Sequence, residues 1–372
     1  MIDIQKKLDG NKFLFLGLAF IVTLIIRFAV RHATFVDLEA WFRAGEIVTS
    51  GGNIYAETKA YNYGFIFSVI CGALYKLSSI FTDNFAAFRS SVIIMLTLAD
   101  LLIALIIAKK AGTLFAMIFL LNPQSIWASC RNYQFDNIAV LLGLLGVLCI
   151  EDSADERRIT QNDIAGTLLL SLSLIMKHIL WMFPMWVLFS TKTDTRKKIL
   201  YAFIPPLLFL LSFVPYLPEG FDGIIRNVFM YRSANNFPLF AVGLLNLHGI
   251  FLPYQRTLCL VLFSLLMIVG VYIFRREKIF NLFLLYIIAQ VCFSSGINSY
   301  YLAIPVAALI ILFHEWSLIY FSVGVISRLS ISGIISSEIN ATISLRIWMF
   351  VPMAWCLLAY LVYYYFRVSE RN

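Results

Sequence analysis

Long apolar runs recur along the whole chain and leave it few possible folds. Many hold about 18 or more consecutive apolar residues, enough to cross a hydrocarbon core roughly 30 Å thick. Lipid offers no partner to an open backbone group, so such runs must be helical. The alternating pattern of an outer-membrane barrel is absent from the sequence. Of the 372 residues, 61% are hydrophobic and 13% charged, against about 25% charged in a soluble domain. The expected fold class is an all-α polytopic integral membrane protein with roughly 11–12 transmembrane helices. The first run, about Phe13 to Val30, is too long for a signal-peptide core and lacks a cleavage site, so a retained helix is expected.

The net charge of +8 does not imply nucleic acid, because the cations form no single patch. They flank the apolar runs: Lys6, Lys7 and Lys12; Lys109 and Lys110; Arg157 and Arg158; Lys192, Arg196, Lys197 and Lys198; Arg275, Arg276 and Lys278; Arg367 and Arg371. This is the pattern of cytoplasmic loops, and it keeps the N-terminus cytoplasmic. The six cysteines (71, 130, 149, 259, 292, 356) contain no C-x-x-C and mostly lie inside apolar runs, where they read as small core residues.

Spans are expected at 86–108, 111–127, 135–150, 164–190, 199–217, 256–274, 279–296, 300–314, 316–334 and 345–366. The segment 61–81 is apolar too, but counting it as a span would place Lys109 and Lys110 outside; re-entrant or surface-lying geometry is the alternative. Both flanks of 164–190 look cytoplasmic, which puts Lys177 and His178 at the outer turn of a short hairpin, with Pro184 breaking the return. Lys177 then either faces a cavity as a functional group or snorkels to the headgroups. Outer loops fall near 31–60, 122–134, 216–255, 297–300 and 335–344, the last with a glycosylation sequon at Asn340. One membrane-embedded domain covers 1–372.

The chain has no P-loop, G-x-G-x-x-G, H-E-x-x-H or G-x-S-x-G, and its four histidines are scattered. Chemistry is left to carboxylates and cations at the outer face. In "RHATFVDLEAWFRAG", Asp37 and Glu39 point about 200° apart on a helix. Glu39 has Arg43 four residues on, a favourable pair. Asp37 has Trp41 four residues on, and a carboxylate on that apolar face would have a raised pKa suited to a base. Equally, Thr34-x-x-Asp37 matches a capping box.

In "LLNPQSIWASCRNYQFDN", Asn122-Pro123 ends a helix and Arg131, Gln134 and Asp136 precede the next run. Arg131 and Asp136 either hold and orient a phosphate or tie down the loop as a pair. Arg226 and Arg232 lie in the long loop, on a lid or on an amphipathic surface helix. Tyr300 and Tyr301 stand at a helix start, where interfacial tyrosine is common.

Taken in order, these segments resemble the GT-C glycosyltransferases that use polyprenyl-phosphate sugars. "GGNIYAETKAYNYGFIF", with Tyr61 and Tyr63, resembles their G-x-x-x-Y and Tyr-rich re-entry. "FRSSVIIMLTLADLL" is similar to the Arg…Asp helix of the dolichyl-phosphate-glucose-dependent enzymes. "LLNPQSIWASCRNYQFDN" resembles their Asn-Pro…Gln-x-(Asp/Asn) segment and "LIMKHILWMFP" their Lys…Pro segment. The match covers roughly 13–190, a catalytic half, with 191–372 more variable; Gly64 stands where many members carry proline.

The resemblance implies a GT-C-like fold whose outer-face loop carries short amphipathic helices. It implies an inverting transfer on the extracytoplasmic side of a plasma or endoplasmic-reticulum membrane, from a polyprenyl-phosphate sugar to a glycan or glycolipid. Asp37 would be the base; Glu39, Tyr61, Tyr63, Arg131, Gln134, Asp136, Lys177, His178, Arg232 and Tyr300 would bind substrate. Arg131, Lys177, His178 and Arg232 are the cations expected to meet the leaving phosphate. A monophosphate needs little charge compensation, so no cofactor or obligatory metal is expected. Two other readings are a polysaccharide ligase or polymerase using lipid pyrophosphates, and a secondary transporter or lipid flippase. The latter calls for paired broken helices in corresponding halves, and no internal repeat is visible.

Overall fold

The computed structural model describes residues 8–31, 35–59, 61–152, 158–231, 255–293, 299–314 and 358–366. Their regular elements are all helices, without strands among the described residues. The first span, α1 (Lys12–Val30), exposes Phe13, Leu18, Ile21 and Ile25, while Thr23 and Arg27, the polar residues inside its apolar run, are buried. An apolar face turned outward and polar groups turned inward is the arrangement lipid requires. Helix α2 (Val36–Thr49) is amphipathic: Leu38, Trp41, Ala44 and Ile47 are buried, Glu39 and Arg43 exposed. A single turn, α3 (Ile54–Glu57), is capped by Asn53, whose side chain accepts from Tyr55 N–H.

Helix α4 (Phe65–Ser78) has 14 residues, about 21 Å at 1.5 Å per residue. That is short of the hydrocarbon core, and α4 packs along α2. Helix α5 (Asn84–Lys110), capped by Asp83, is a full span of 27 residues. The run expected as one span at 111–127 is instead broken: α6 (Thr113–Leu120) and α7 (Pro123–Cys130) meet at 41°. Asn122 makes the break, because its side chain caps α7 through the Gln124 and Ser125 N–H groups and Pro123 follows at the first helical position.

Helices α8 (Asp136–Asp152) and α9 (Gln161–Met176) lie together through Gly146 and Gly166. A Cβ on Gly166 would come within 2.6 Å of the Gly146 carbonyl oxygen, so only glycine lets these backbones approach. A Thr160–Asp163 capping box starts α9. The expected 164–190 hairpin bends by 112° at Lys177, through a 3₁₀ turn (His178–Leu180) into α10 (Phe183–Phe189). Contrary to the expectation from sequence, Pro184 does not break the return; it lies in the first turn of α10, where its missing N–H has no helical partner to lose.

Helix α11 (Thr195–Leu211) carries Pro205 and Pro206 and does not end near 217. It runs on through 3₁₀ Val214–Tyr216, α12 (Leu217–Ile224) and π-helical Ile225–Phe229, forming a rod of 35 residues. The start of the expected loop 216–255 is therefore helix. Helix α13 (Gln255–Phe274) precedes α14 (Ile279–Phe293), which is buried on nearly every side from Leu282 to Ala289. A 3₁₀ turn (Ser299–Ala303), α15 (Val306–Leu312) and a helical stretch at 358–366 complete the described chain.

By length and apolar composition, three described helices can cross a bilayer, Lys12–Val30, Asn84–Lys110 and Thr195–Phe229, or five if each bent pair is one span. These long apolar helices mark an integral membrane protein. The expected spans 316–334 and most of 345–366, with Asn340, lie outside the described residues.

Candidate functional site

Three chain breaks deliver the polar side chains. The first follows α1 and starts α2 at Val36, with Phe35 as an extended N-cap that makes no side-chain cap bond. Thr34, the other half of the expected capping box, lies outside the described residues; Asp37 is the second helical residue, and its Oδ2 accepts from Gln134 Nε2 at 2.5 Å. The second break links α7 to α8. There Tyr133 adopts φ 53°, the left-handed region, an uncommon conformation for a bulky residue. The Gln134 N–H then donates to the Ala128 carbonyl, and Gln134, Phe135 and Asp136 are all buried. Strained backbone of this kind gathers at functional sites. The third break is Lys177, extended where α9 stops.

These breaks bring Asp37, Gln134, Asp136 and Lys177 together. Lys177 Nζ donates to Asp136 Oδ2 at 2.8 Å and to Gln134 Oε1 at 3.2 Å. Four aromatic rings surround the ammonium: Phe135 at 4.9 Å, Tyr63 and Tyr301 at 5.6 Å and Tyr300 at 5.8 Å. Lys177 is only 6% exposed, so it does not snorkel. Burial raises the Asp37 carboxyl above the usual carboxylate range, and the Gln134 hydrogen bond and Lys177 charge oppose that shift. Asp37 keeps a partly exposed side chain, unlike its three partners.

Other expected members stand apart. Asp136 does not pair with Arg131; the Arg131 guanidinium lies 4.3 Å over the Trp127 ring. Glu39 is exposed on the opposite side of α2 and does not pair with Arg43, which bonds Glu46 one turn further along. His178 packs edge-on against Phe209 at 5.2 Å. Tyr61 is buried and donates to the Gly64 carbonyl at 2.7 Å, a structural role beside Tyr63. Arg232 lies outside the described residues.

Gly64 ties this region to the Lys177 break. Its N–H donates to the Ile175 carbonyl at 3.0 Å, and a Cβ there would come within 2.3 Å of that oxygen. Proline, common at this position in the resembled family, could not make the bond.

A second polar network was legible only in part: the Arg…Asp helix marked Asp100, and nothing marked Arg27 as its partner. Arg27, inside the first span, pairs with Asp100 and donates to Thr97 Oγ1 at 2.9 Å. Ser125 Oγ donates to Asp100 Oδ2 at 2.8 Å, and Asn137 Nδ2 donates to Asp100 Oδ1 at 2.9 Å. A small cavity of about 20 Å³, lined by Asp100, Ser125, Gln134, Asp136 and Asn137 among others, separates this network from the Lys177 cluster. The signal was available: an ionisable residue inside an apolar run is a candidate by default. Phe135 and Tyr231 were also missed as neighbours; nothing in their local spacing distinguishes them from other interfacial aromatics.

The cluster offers one carboxylate with a partly exposed face, one caged cation and several phenol groups. Among the described residues no three of His, Cys, Asp and Glu converge as metal ligands. Neither a protein-family model nor a curated protein matches this chain.

Proposed function

We propose that this chain is an inverting glycosyltransferase of the GT-C type, moving a hexose from a polyprenyl-phosphate donor to a glycan or glycolipid acceptor at the extracytoplasmic face. In this reading shorter apolar helices such as Ile279–Phe293 complete a set of roughly 11–12 membrane segments, and Phe65–Ser78 enters the membrane without crossing it. One observation carries the proposal: Asp37, on an amphipathic helix directly after the first span, is drawn into a buried cluster with Gln134 and Lys177 yet keeps an open side.

Asp37 takes the proton of the acceptor hydroxyl while that oxygen bonds to the anomeric carbon. The bond from that carbon to the phosphate oxygen breaks, and lipid phosphate leaves with the electron pair. A carboxyl that burial makes more basic suits this step. Tyr63 and Tyr300 offer rings for sugar faces beside it. Lys177 is engaged by Asp136 and Gln134; Arg131 and Arg232 are proposed for the leaving phosphate on the family resemblance alone.

The test is an assay of purified protein against a panel of polyprenyl-phosphate hexoses. One donor should support transfer, and Asp37→Asn should lower it by about 10²–10⁴-fold while the protein still melts in a single cooperative transition. No transfer from any donor would sink the proposal. Cysteine labelling at Glu39 and Lys109 should report opposite sides of the membrane.

A second reading, a lipid flippase or secondary transporter, is favoured by the buried Arg27–Asp100 pair, although the two broken helices fall in one half of the chain and not in corresponding halves. Proteoliposomes that move the donor lipid between leaflets without forming product would select it.

A further inference from the structure

Gln134 is 3% exposed, and its side-chain amide is engaged at both ends. Lys177 Nζ donates to Oε1 at 3.2 Å, while Nε2 donates to Asp37 Oδ2 at 2.5 Å and to the Asn132 carbonyl at 3.1 Å. An ammonium has three donors and no lone pair, so the atom it meets must be the amide oxygen. The ammonium therefore dictates which way round the amide lies, and the NH₂ end falls against Asp37. Asp136 Oδ2, at 2.8 Å, anchors the ammonium in turn.

We infer that Gln134 is a positioning residue: Lys177, anchored on Asp136, orients its amide, and the amide holds Asp37 Oδ2 so that Oδ1 receives the proton of the acceptor. The catalytic meaning rests on the function proposed above; the orientation of Asp37 does not. Lys177 thereby acts on the base, by its own charge and through the amide it orients, and not on the leaving phosphate. Specificity of direction is the gain, since an unpinned carboxylate beside an ammonium would turn toward it.

The groups around Asp37 come from every neighbouring element. Lys177 faces it from the α9 break and Asp136 from the start of α8. Tyr63 faces it from the segment before α4, Tyr231 from the end of the long rod and Tyr300 from the last 3₁₀ turn. Among these groups, Gln134 is the one that donates a hydrogen bond to the carboxylate.

The experiment reads the Asp37 carboxyl directly. Infrared pH titration of the full-length protein in detergent, with the Asp37→Asn spectrum subtracted, gives its midpoint. Gln134→Leu removes the donor and should raise the midpoint by about 1 to 2 pH units. Near-isosteric Gln134→Glu adds a negative charge and should raise it at least as far. Lys177→Met should also raise it, and the double variant Lys177→Met/Gln134→Leu should shift less than the two single shifts combined, because one residue acts through the other. The acid limb of transfer should move with the infrared midpoint. A midpoint unchanged in both Gln134 variants would overturn the inference, and so would strict additivity with Lys177→Met. If the wild type transfers no sugar, the proposed function fails while the infrared arm still decides this point.

Discussion

Arg27 and Asp100, 73 residues apart in sequence, form an ion pair that buries both side chains completely between α1 and α5. Thr97, Ser125 and Asn137 add hydrogen bonds to the pair inside an apolar bundle, while Arg27 Nε stays buried without a hydrogen-bond partner among the described residues. Removing one partner strands a charge where water cannot reach it. Arg27→Met or Asp100→Leu alone should destabilise the protein by about 3–5 kcal/mol. The double replacement should cost less than either single one, a difference that melting of detergent-purified variants will read.

The raised carboxyl of Asp37 has two consequences of opposite sense. A base must be ionised, so transfer should increase with pH and its acid limb should lie above the ordinary aspartate value of about 3.9. Stability should run the other way. Between the unfolded and folded values the folded chain binds more protons, so this contribution is full below the unfolded value and is lost as pH rises through the folded one. Asp37→Asn should remove that slope; melting temperature measured across pH for both proteins checks it.

Gly64 should tolerate no side chain. A methyl group at this position meets the Ile175 carbonyl at 2.3 Å, and that backbone cannot yield without moving the end of α9 and Lys177 with it. Gly64→Ala should cost about 1–3 kcal/mol. Gly64→Pro should cost more, since it also deletes the N–H donating to Ile175. Lys177 accessibility to amine-reactive reagents should rise in both.

If the leaving group is a lipid monophosphate, protein cations suffice to stabilise it. Transfer should then persist in excess chelator and gain nothing from added divalent ions. Loss of activity with chelator and its return with magnesium or manganese would contradict this mechanism.

Element by element, local chemistry in the chain was informative. The apolar runs marked α1 and α5 within one or two residues, and Asn122-Pro123 marked the break before α7. Two breaks were read less well. At Pro184 the helix begins instead of breaking, because proline fits a first turn as readily as it ends a helix. Beyond 217 the long rod continues to Phe229, because polar and proline residues in sequence do not by themselves stop a helix supported by its neighbours.

The candidate site divides along the same line. Sequence by itself determined which residues are available: scarce ionisable groups, placed at the ends and breaks of apolar segments where the backbone is free to turn. It also determined that Asp37 and Glu39 face apart, since that follows from helix geometry alone. Only the tertiary structure decided the partners. Arg43 had acids on both sides at permitted spacing and took Glu46; Asp136 bonded Lys177 rather than Arg131; Asp100 bonded Arg27 across the bundle. The physical reason is that helical spacing ranks only neighbours within one segment. A desolvated charge must find its counter-ion wherever packing brings one within about 3–4 Å, and that distance is set by how whole helices meet.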